Sequence, residues 1–95
     1  MKEKTLKRKL SDLLITCGYF VWFPAKVMYN SETDIFGVYD CIAYDGIELR
    51  WIQMTTLTNV SHRRKKMYAR FPGVPLPRDS WIYAWDGTRF REIKI

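Results

Sequence analysis

The first sixteen residues of this 95-residue chain carry hydrophobic positions at helical spacing. Four leucines repeat every three or four residues, with basic residues between them: Leu6, Leu10, Leu13 and Leu14. Gly18 follows where a C-terminal cap is expected. The pattern predicts an amphipathic helix over 3–16. The segment 19–29 is rich in aromatic and β-branched residues and contains Pro24, which favours an edge strand or a bulge.

A β-hairpin is predicted in the middle of the chain. Two runs of strand-forming residues, 35–44 and 47–55, flank Asp45-Gly46, the favoured dipeptide of a two-residue type I′ turn. Such a loop pairs position 44 with 47 and position 40 with 51. Asp40 then lies diagonal to Gln53 on one face of the hairpin, and Thr55 lies on the same face.

The remaining elements define the fold class. A helical stretch, 56–70, is followed by a proline-rich loop, 71–79, and by a second hairpin, 80–85 and 88–95, across Asp86-Gly87. The order helix, three strands, helix, two strands predicts an α/β (α+β) fold with helices packed against a sheet. The length predicts a single domain, 1–95, with one core.

Basic residues are clustered as well as numerous. The formal net charge is +6, five cations lie in the first nine residues, and residues 62–66 read His-Arg-Arg-Lys-Lys. Clustered cations favour a nucleic-acid partner, because neutralising phosphates releases condensed counterions. Plain solubility is the alternative interpretation.

Cysteine content and hydropathy limit the remaining classes of protein. Cys17 and Cys41 are too few for a disulfide framework and lack zinc-ligand spacing, which predicts reduced thiols and a cytoplasmic location. No stretch reaches the roughly 20 apolar residues of a membrane span, so no membrane partner is expected.

One segment carries candidate chemistry. Asp40 ends the sequence FGVYD on one predicted strand, Gln53, Met54 and Thr55 follow on the next, and the basic helix comes directly after them. This arrangement resembles the PD-(D/E)xK nuclease superfamily, in particular its small Holliday-junction-resolvase-like and phage-type members. The likeness runs in order over most of the chain, from the first helix to the closing tryptophan-rich hairpin.

The resemblance implies a fold and a chemistry. The fold is the restriction-endonuclease-like αβββαβ core, a mixed sheet flanked by helices, with an extra C-terminal hairpin strand here. The chemistry is Mg²⁺- or Mn²⁺-dependent hydrolysis of DNA phosphodiesters, in which the metal lowers the pKa of a bound water and stabilises charge at the phosphate. By position, the metal ligands are Asp40, Gln53 and the carbonyl of Met54, and the catalytic positions are Asp40, Gln53 and Thr55.

The chain also departs from the family pattern. Thr55 stands where the family has a lysine that positions or activates the attacking water, and Gln53 stands in place of an acid, so weaker metal binding is expected. A basic residue of the second helix could substitute, and the candidates are His62, Arg63 and Lys66, with His62 or Arg63 better placed near the metal. His62, Arg63, Lys65 and Lys66 are expected to bind nucleic acid, with Lys66 contacting its backbone.

Other acids are weighed beside this site. Asp34 could approach it from a loop, although a solvated loop acid is the alternative, and Glu3 or Asp12 could supply an acid from the first helix. A buried Asp40 must bind a cation or pair with a base, for which Lys26 or Arg50 could serve.

Three functions therefore follow from the sequence. The first is a metal-dependent, resolvase-like endonuclease that acts on branched or single-stranded DNA. The second is a catalytically degenerate nucleic-acid-binding protein of the same fold, and the third is a protein-interaction module. A homodimer and a viral or phage origin are further expectations.

Overall fold

The computed structural model describes residues 2–24 and 34–95. Two α-helices are present in these ranges: α1, Glu3–Thr16, and α2, Val60–Arg70. Five strands accompany them: β1, Phe20–Trp22; β2, Cys41–Tyr44; β3, Leu49–Thr56; β4, Ser80–Trp85; and β5, Phe90–Lys94. A short 3-10 turn, Leu57–Asn59, leads from β3 into α2. Residues 25–29 of the predicted edge strand lie outside the described ranges.

The strands form one mixed sheet in the order β1-β2-β3-β4-β5. All neighbours are antiparallel except β3 and β4, which are parallel. Parallel neighbours require a crossover connection, and α2 provides it. The predicted α+β class, the order of elements, the mixed sheet and the added C-terminal strand are thus confirmed.

The two helices cover opposite faces of this sheet. Leu6, Leu10 and Leu14 of α1 are buried against residues of β2, β3 and β4. The other face carries a second core in which Met67 of α2 is buried together with Ile82 and Ala84 of β4. The helical spacing of the α1 leucines therefore corresponds to a real buried stripe.

The predicted hairpin register is wrong by two residues. Tyr44 pairs with Leu49, not with residue 47, and the backbone N–H of Asp45 donates to the carbonyl of Glu48. The loop residues are therefore Gly46 and Ile47, and of these only Gly46 has a positive φ, as in a type II′ turn. The physical reason is the Asp45 carboxylate, which accepts hydrogen bonds from the N–H groups of Ile47 and Glu48.

The predicted strand 35–44 is also shorter than expected, because β2 begins only at Cys41. Residues 35–39 form a tight loop closed by a bridge between Ile35 and Tyr39. Phe36 and Gly37 at its tip both have positive φ angles, which lie outside the β region of backbone conformation. Asp34 and Asp40 are therefore brought to the two ends of one small loop.

Neither helix in the described ranges has the length and apolar character needed to cross a membrane.

We predict that Leu10→Ala lowers the free energy of unfolding by about 2–5 kcal/mol, because Leu10 is fully buried and its truncation leaves a cavity between α1 and the sheet. Urea denaturation followed by circular dichroism measures this. Ile47→Ala is the matched control, since Ile47 is 89% exposed in the β2–β3 turn and its truncation should change stability by less than about 0.5 kcal/mol. Equal effects of the two substitutions would contradict the assignment of the α1 core.

Candidate functional site

Asp40 and Gln53 meet where β2 starts beside β3. The β2–β3 register ends at the Cys41–Ile52 pair, and the backbone N–H of Asp40 also donates to the carbonyl of Ile52, as in a β-bulge. Asp40 is therefore not a regular cross-strand partner of Gln53. The predicted pair is nevertheless brought together, because Gln53 Nε2 donates directly to the Asp40 carboxylate.

The Asp40 carboxylate is held by two donors. Its Oδ2 accepts a hydrogen bond from the backbone N–H of Met54 at 2.7 Å and one from Gln53 Nε2 at 3.0 Å. Gln53 Nε2 also donates to the carbonyl oxygen of Met54 at 2.9 Å. The amide nitrogen of Gln53 therefore bridges two oxygens that the sequence interpretation assigns to a metal.

No cation forms a salt bridge with Asp40 among the described residues. Arg50 points elsewhere: its guanidinium donates to the Tyr83 hydroxyl at 2.7 Å and to the Glu92 carboxylate at 3.2 Å. Lys26, the other suggested partner, lies outside the described residues. The pairing of Asp40 with Arg50, weighed as its structural role, is therefore wrong.

Burial sets the acidity of Asp40. The residue is 5% exposed, and this burial raises the pKa of its carboxyl group to about 6. The N–H of Met54 opposes that rise, the charge of Asp34 adds to it, and the charges of Lys7 and Glu3 act in opposite directions. Asp40 thus lies in a small group of acids and bases contributed by three separate parts of the chain.

These groups surround a cavity of about 380 Å³ at the carboxyl end of β3, next to the N-terminal ends of α1 and α2. Asp40 and Gln53 line its wall, and Glu3 and Asp34 bring two further carboxyl groups to it. Glu3 is exposed, as are the other rim residues Thr56 and Asn59, so the cavity opens to the surface. The acids are accessible although Asp40 itself is largely covered.

Thr55 also lines the cavity and is buried in β3. It therefore occupies the position that the motif gives to lysine, but it brings a neutral hydroxyl group. Among the residues that the structure describes, the basic side chain that lines this cavity is Arg63, in the first turn of α2. Its Nε is buried and has no hydrogen-bond partner among the described residues.

The other basic residues of α2 point away from the cavity. His62, Lys65 and Lys66 are exposed and do not line it. They occupy the outer face of the helix, because Met67 faces the core and Arg63, one turn earlier, lies on the same side as Met67. Of the four predicted nucleic-acid contacts, the structure brings only Arg63 to the acids.

Helix α1 also contributes an acid and a base close to Asp40. Glu3, weighed as an extra acid, lines the cavity, and Lys7 lies one turn further along with its Nζ 3.8 Å from Glu3 Oε1. Lys7 was not a candidate, yet it is close enough to Asp40 to affect its acidity. Their i, i+4 spacing was visible in the sequence, but which helix face meets the acids was not. Asp12 lines a different cavity, beside Trp85.

Carboxylate, carbonyl and carboxamide oxygens at this site are the ligand types that a hard cation prefers, but the Gln53 side chain is turned the wrong way to bind one. Within residues 2–24 and 34–95, no three acidic, histidine or cysteine side chains are grouped closely enough to hold a metal by themselves. A cation would use the Asp40 carboxylate, the Met54 carbonyl and the side-chain oxygen of Gln53. Gln53 must then turn its carboxamide by about half a rotation, since its nitrogen faces those oxygens now.

No protein-family model matches the chain, and no curated protein is significantly similar to it in sequence. The interpretation of the site therefore depends on its own geometry.

We predict that the stability of the wild-type chain relative to Asp40→Asn falls as pH rises from about 4 to about 6. The folded-state pKa, about 6, lies above the value of about 3.9 for an unfolded aspartate, so between these values the folded state keeps a proton that the unfolded state loses. Ionisation above pH 6 then costs the folded state about 3 kcal/mol in total. Urea denaturation of both proteins at several pH values between 3.5 and 7.5 measures the difference. A difference that does not change with pH would contradict the raised pKa.

Proposed function

We propose that this chain is a metal-dependent nuclease-like protein that binds DNA and hydrolyses its phosphodiester bonds. The observation that carries the proposal is the direct apposition of Asp40 and Gln53 in one surface-opening cavity that Arg63 also lines. The order of elements supports it, because an αβββαβ core with a mixed sheet is what the PD-(D/E)xK resemblance implies.

In this proposal, Asp40, Gln53 and the Met54 carbonyl would hold Mg²⁺ or Mn²⁺. The bound ion would supply an acidified water and stabilisation of charge on the phosphate. Arg63 provides the positive charge that Thr55 lacks, since a guanidinium can donate two parallel hydrogen bonds to phosphate oxygens. Asp34 and Glu3, on the same cavity, are placed to accept a proton or to orient water.

The outer face of α2 supports the DNA part of the proposal. His62, Lys65 and Lys66 are exposed on the outer face of the helix that carries the cavity-lining Arg63, so a strand that has a phosphate in the cavity and crosses α2 would meet these basic residues. Such contacts position a strand but carry no sequence information. We infer a reducing, cytoplasmic setting for this activity, supported by the free thiols of Cys17 and Cys41.

A second function, DNA binding without hydrolysis, is favoured by the Gln53 contacts. The Gln53 amide already satisfies both Asp40 Oδ2 and the Met54 carbonyl, as a cation would. With Thr55 in place of lysine, the cavity then serves as a phosphate-proximal pocket with Arg63 as its anchor. The test of hydrolysis below separates the two functions.

Contact with another protein, including a second copy of the chain, is the third candidate. Phe20 and Trp22 of the edge strand β1 and Tyr44 of β2 are exposed large hydrophobic residues on neighbouring strands. Adjacent exposed aromatic residues of this kind favour a protein interface. Light scattering of the purified chain over a range of concentrations measures whether it self-associates.

We predict that the wild-type chain cleaves branched, flapped or single-stranded DNA with Mg²⁺ or Mn²⁺, and that Asp40→Ala reduces the rate by about 100-fold or more, since it removes a buried carboxylate that would hold the ion. Gln53→Glu restores an acid and should lower the Mg²⁺ concentration needed for half-maximal rate. Gel assays on labelled junction, flap, single-stranded and duplex substrates measure both effects.

Asp12→Ala is the matched control for that assay, because Asp12 is an exposed acid of the same helix as Glu3 but lines a separate cavity. Its activity should equal that of the wild type. If the wild type binds all four DNAs and cleaves none, the hydrolytic proposal fails and the binding function takes its place.

We predict that Arg63→Gln and Lys65→Gln act on different steps. Arg63 lines the cavity, so Arg63→Gln should lower the cleavage rate at saturating DNA. Lys65 is exposed outside it, so Lys65→Gln should leave that rate unchanged, weaken binding and reduce the slope of log affinity against log salt by about 1. Fluorescence anisotropy at several salt concentrations, with single-turnover cleavage, separates the effects. Identical profiles for the two variants would contradict the assignment of Arg63 to the site.

A further inference from the structure

The first two turns of α1 carry an exposed basic surface. Lys4 and Arg8 are both exposed, and together with Thr5 they line a hollow of about 210 Å³ on the helix. Their i, i+4 spacing places the two side chains next to each other on one side of α1, away from the buried leucines. We call Lys4, Thr5 and Arg8 the α1 basic ridge.

The two charges of the ridge are not neutralised within the part of the chain that the structure describes. The acid of these turns, Glu3, pairs with Lys7, and neither Lys4 nor Arg8 forms a salt bridge with a described residue. Like charges at i, i+4 repel each other, and cations near the start of a helix oppose its macrodipole. The ridge therefore weakens α1, and a bound polyanion would remove both penalties.

The ridge lies next to the acidic cavity. Glu3 lines the cavity and directly precedes Lys4, and the Lys7 ammonium group lies 3.8 Å from the Glu3 carboxylate. Lys7 is also the i+3 neighbour of Lys4 and adjoins Arg8, and i, i+3 neighbours on a helix have Cβ atoms about 5–6 Å apart. Arg63 of α2 lines the same cavity. Since α1 and α2 cover opposite faces of the sheet, basic residues flank the cavity on both sides.

We propose that Lys4 and Arg8 bind phosphates of the same DNA molecule that α2 binds, so that the two helices hold DNA on both sides of the cavity. Both helices begin beside the cavity, so DNA that crosses this end of the sheet meets one helix on each side. The carboxyl groups that line the cavity repel phosphates, and cations on both sides offset that repulsion. The inference deepens the proposed function and rests on its placement of DNA at the cavity.

The ridge suits a nucleic-acid backbone better than an anionic membrane surface. A helix that lies on a membrane needs large apolar residues beside its cations. The hollow is instead lined by Lys4, Thr5 and Arg8, and the Thr5 hydroxyl group can donate to a phosphate oxygen. Phosphate contacts of this kind carry no sequence information, so the ridge should bind DNA of any sequence.

The test measures DNA binding without cleavage, in EDTA. Fluorescence anisotropy of a labelled single-stranded oligodeoxynucleotide is followed at several salt concentrations for the wild type and for Lys4→Gln/Arg8→Gln. Loss of two phosphate contacts should reduce the slope of log affinity against log salt by about 1.4, and should weaken binding roughly 10- to 30-fold near physiological salt. Because the substitutions remove a repulsion, the midpoint of urea unfolding should stay unchanged or rise slightly, which excludes a folding defect.

Two double variants serve as matched controls. Lys4→Arg/Arg8→Lys keeps both charges and should bind within about threefold of the wild type. Arg78→Gln/Lys94→Gln removes the same net charge from exposed residues near the start of β4, at the opposite end of the β3–β4 pair from the cavity, and should leave the slope unchanged. An equal loss in this second control would reveal an effect of net charge alone and would overturn the inference, as would an unchanged slope in Lys4→Gln/Arg8→Gln.

Stoichiometry tests whether one DNA molecule contacts both helices. Titration at concentrations far above the Kd should saturate at no more than one oligodeoxynucleotide per chain. Adding Lys65→Gln to Lys4→Gln/Arg8→Gln should reduce the salt slope further on that same oligodeoxynucleotide. Two DNA molecules bound per chain would overturn the proposed path across the cavity.

The outcome is separable from that of the proposed hydrolysis. Weaker, less salt-dependent binding by Lys4→Gln/Arg8→Gln supports the α1 contact even in a chain that cleaves nothing. Metal-dependent cleavage by the wild type, with Lys4→Gln/Arg8→Gln equal to it in binding, leaves hydrolysis standing and overturns the α1 contact. A wild type that binds phosphatidylserine vesicles but no DNA overturns both.

Discussion

The buried carboxylate of Asp40 is the group on which the rest of the site depends. A carboxylate removed from water is costly unless donors replace the lost hydration. Here the backbone N–H of Met54 and the amide of Gln53 do so, and no residue in the described ranges forms a salt bridge with Asp40. Two hydrogen bonds offset only part of the burial, which is why the pKa remains raised. The two hydrogen bonds therefore make the buried Asp40 carboxylate tolerable in the folded protein. A positive charge brought into the cavity would stabilise its ionised form further.

That arrangement requires the start of β2 and the middle of β3 to be in one particular register. The register is set far from the site, by Asp45, whose carboxylate accepts two backbone N–H groups and whose own N–H donates to Glu48. The same device recurs at the other hairpin, where Asp86 accepts the N–H groups of Thr88 and Arg89. In both hairpins an aspartate side chain moves the turn one residue beyond the Asp-Gly pair, and the strand pairing follows.

The sequence was sufficient for those features that depend on periodicity. The bounds of α1 and the order of all elements were predicted because leucine spacing and strand alternation report local geometry. The positions of the two Asp-Gly turns were predicted, but the two central loop residues lie one position later in the chain than expected. More than one turn type accommodates this dipeptide, and the aspartate side-chain hydrogen bonds decide which one forms. Asp40 was correctly expected beside Gln53, although the contact is made from an irregular position just before β2 and not from the predicted cross-strand register.

What could not be predicted depended on contacts between distant segments. The loop 35–39 contains apolar residues that suit a strand, and its positive φ angles at Phe36 follow from packing against Trp51 and Phe71 rather than from local preference. The rotation of α1 about its axis decides that Glu3 and Lys7, and not Asp12, face Asp40. The roles of His62, Lys65 and Lys66 as contacts to nucleic acid, and of Thr55 in catalysis, stay predictions.

The charges around the cavity would make the binding of a phosphate depend on the binding of a divalent cation, the two ligands that a nuclease would need. Three carboxyl groups, of Glu3, Asp34 and Asp40, line the cavity together with the guanidinium group of Arg63, and Lys7 lies beside Glu3. A phosphate entering this space meets Arg63 but also three acids, so its binding is opposed unless a further positive charge is present. A divalent ion would provide that charge at the oxygens which the Gln53 amide now bridges. Because the ion and the phosphate would each favour binding of the other, turning of the Gln53 carboxamide would decide whether the cavity repels the strand or holds it.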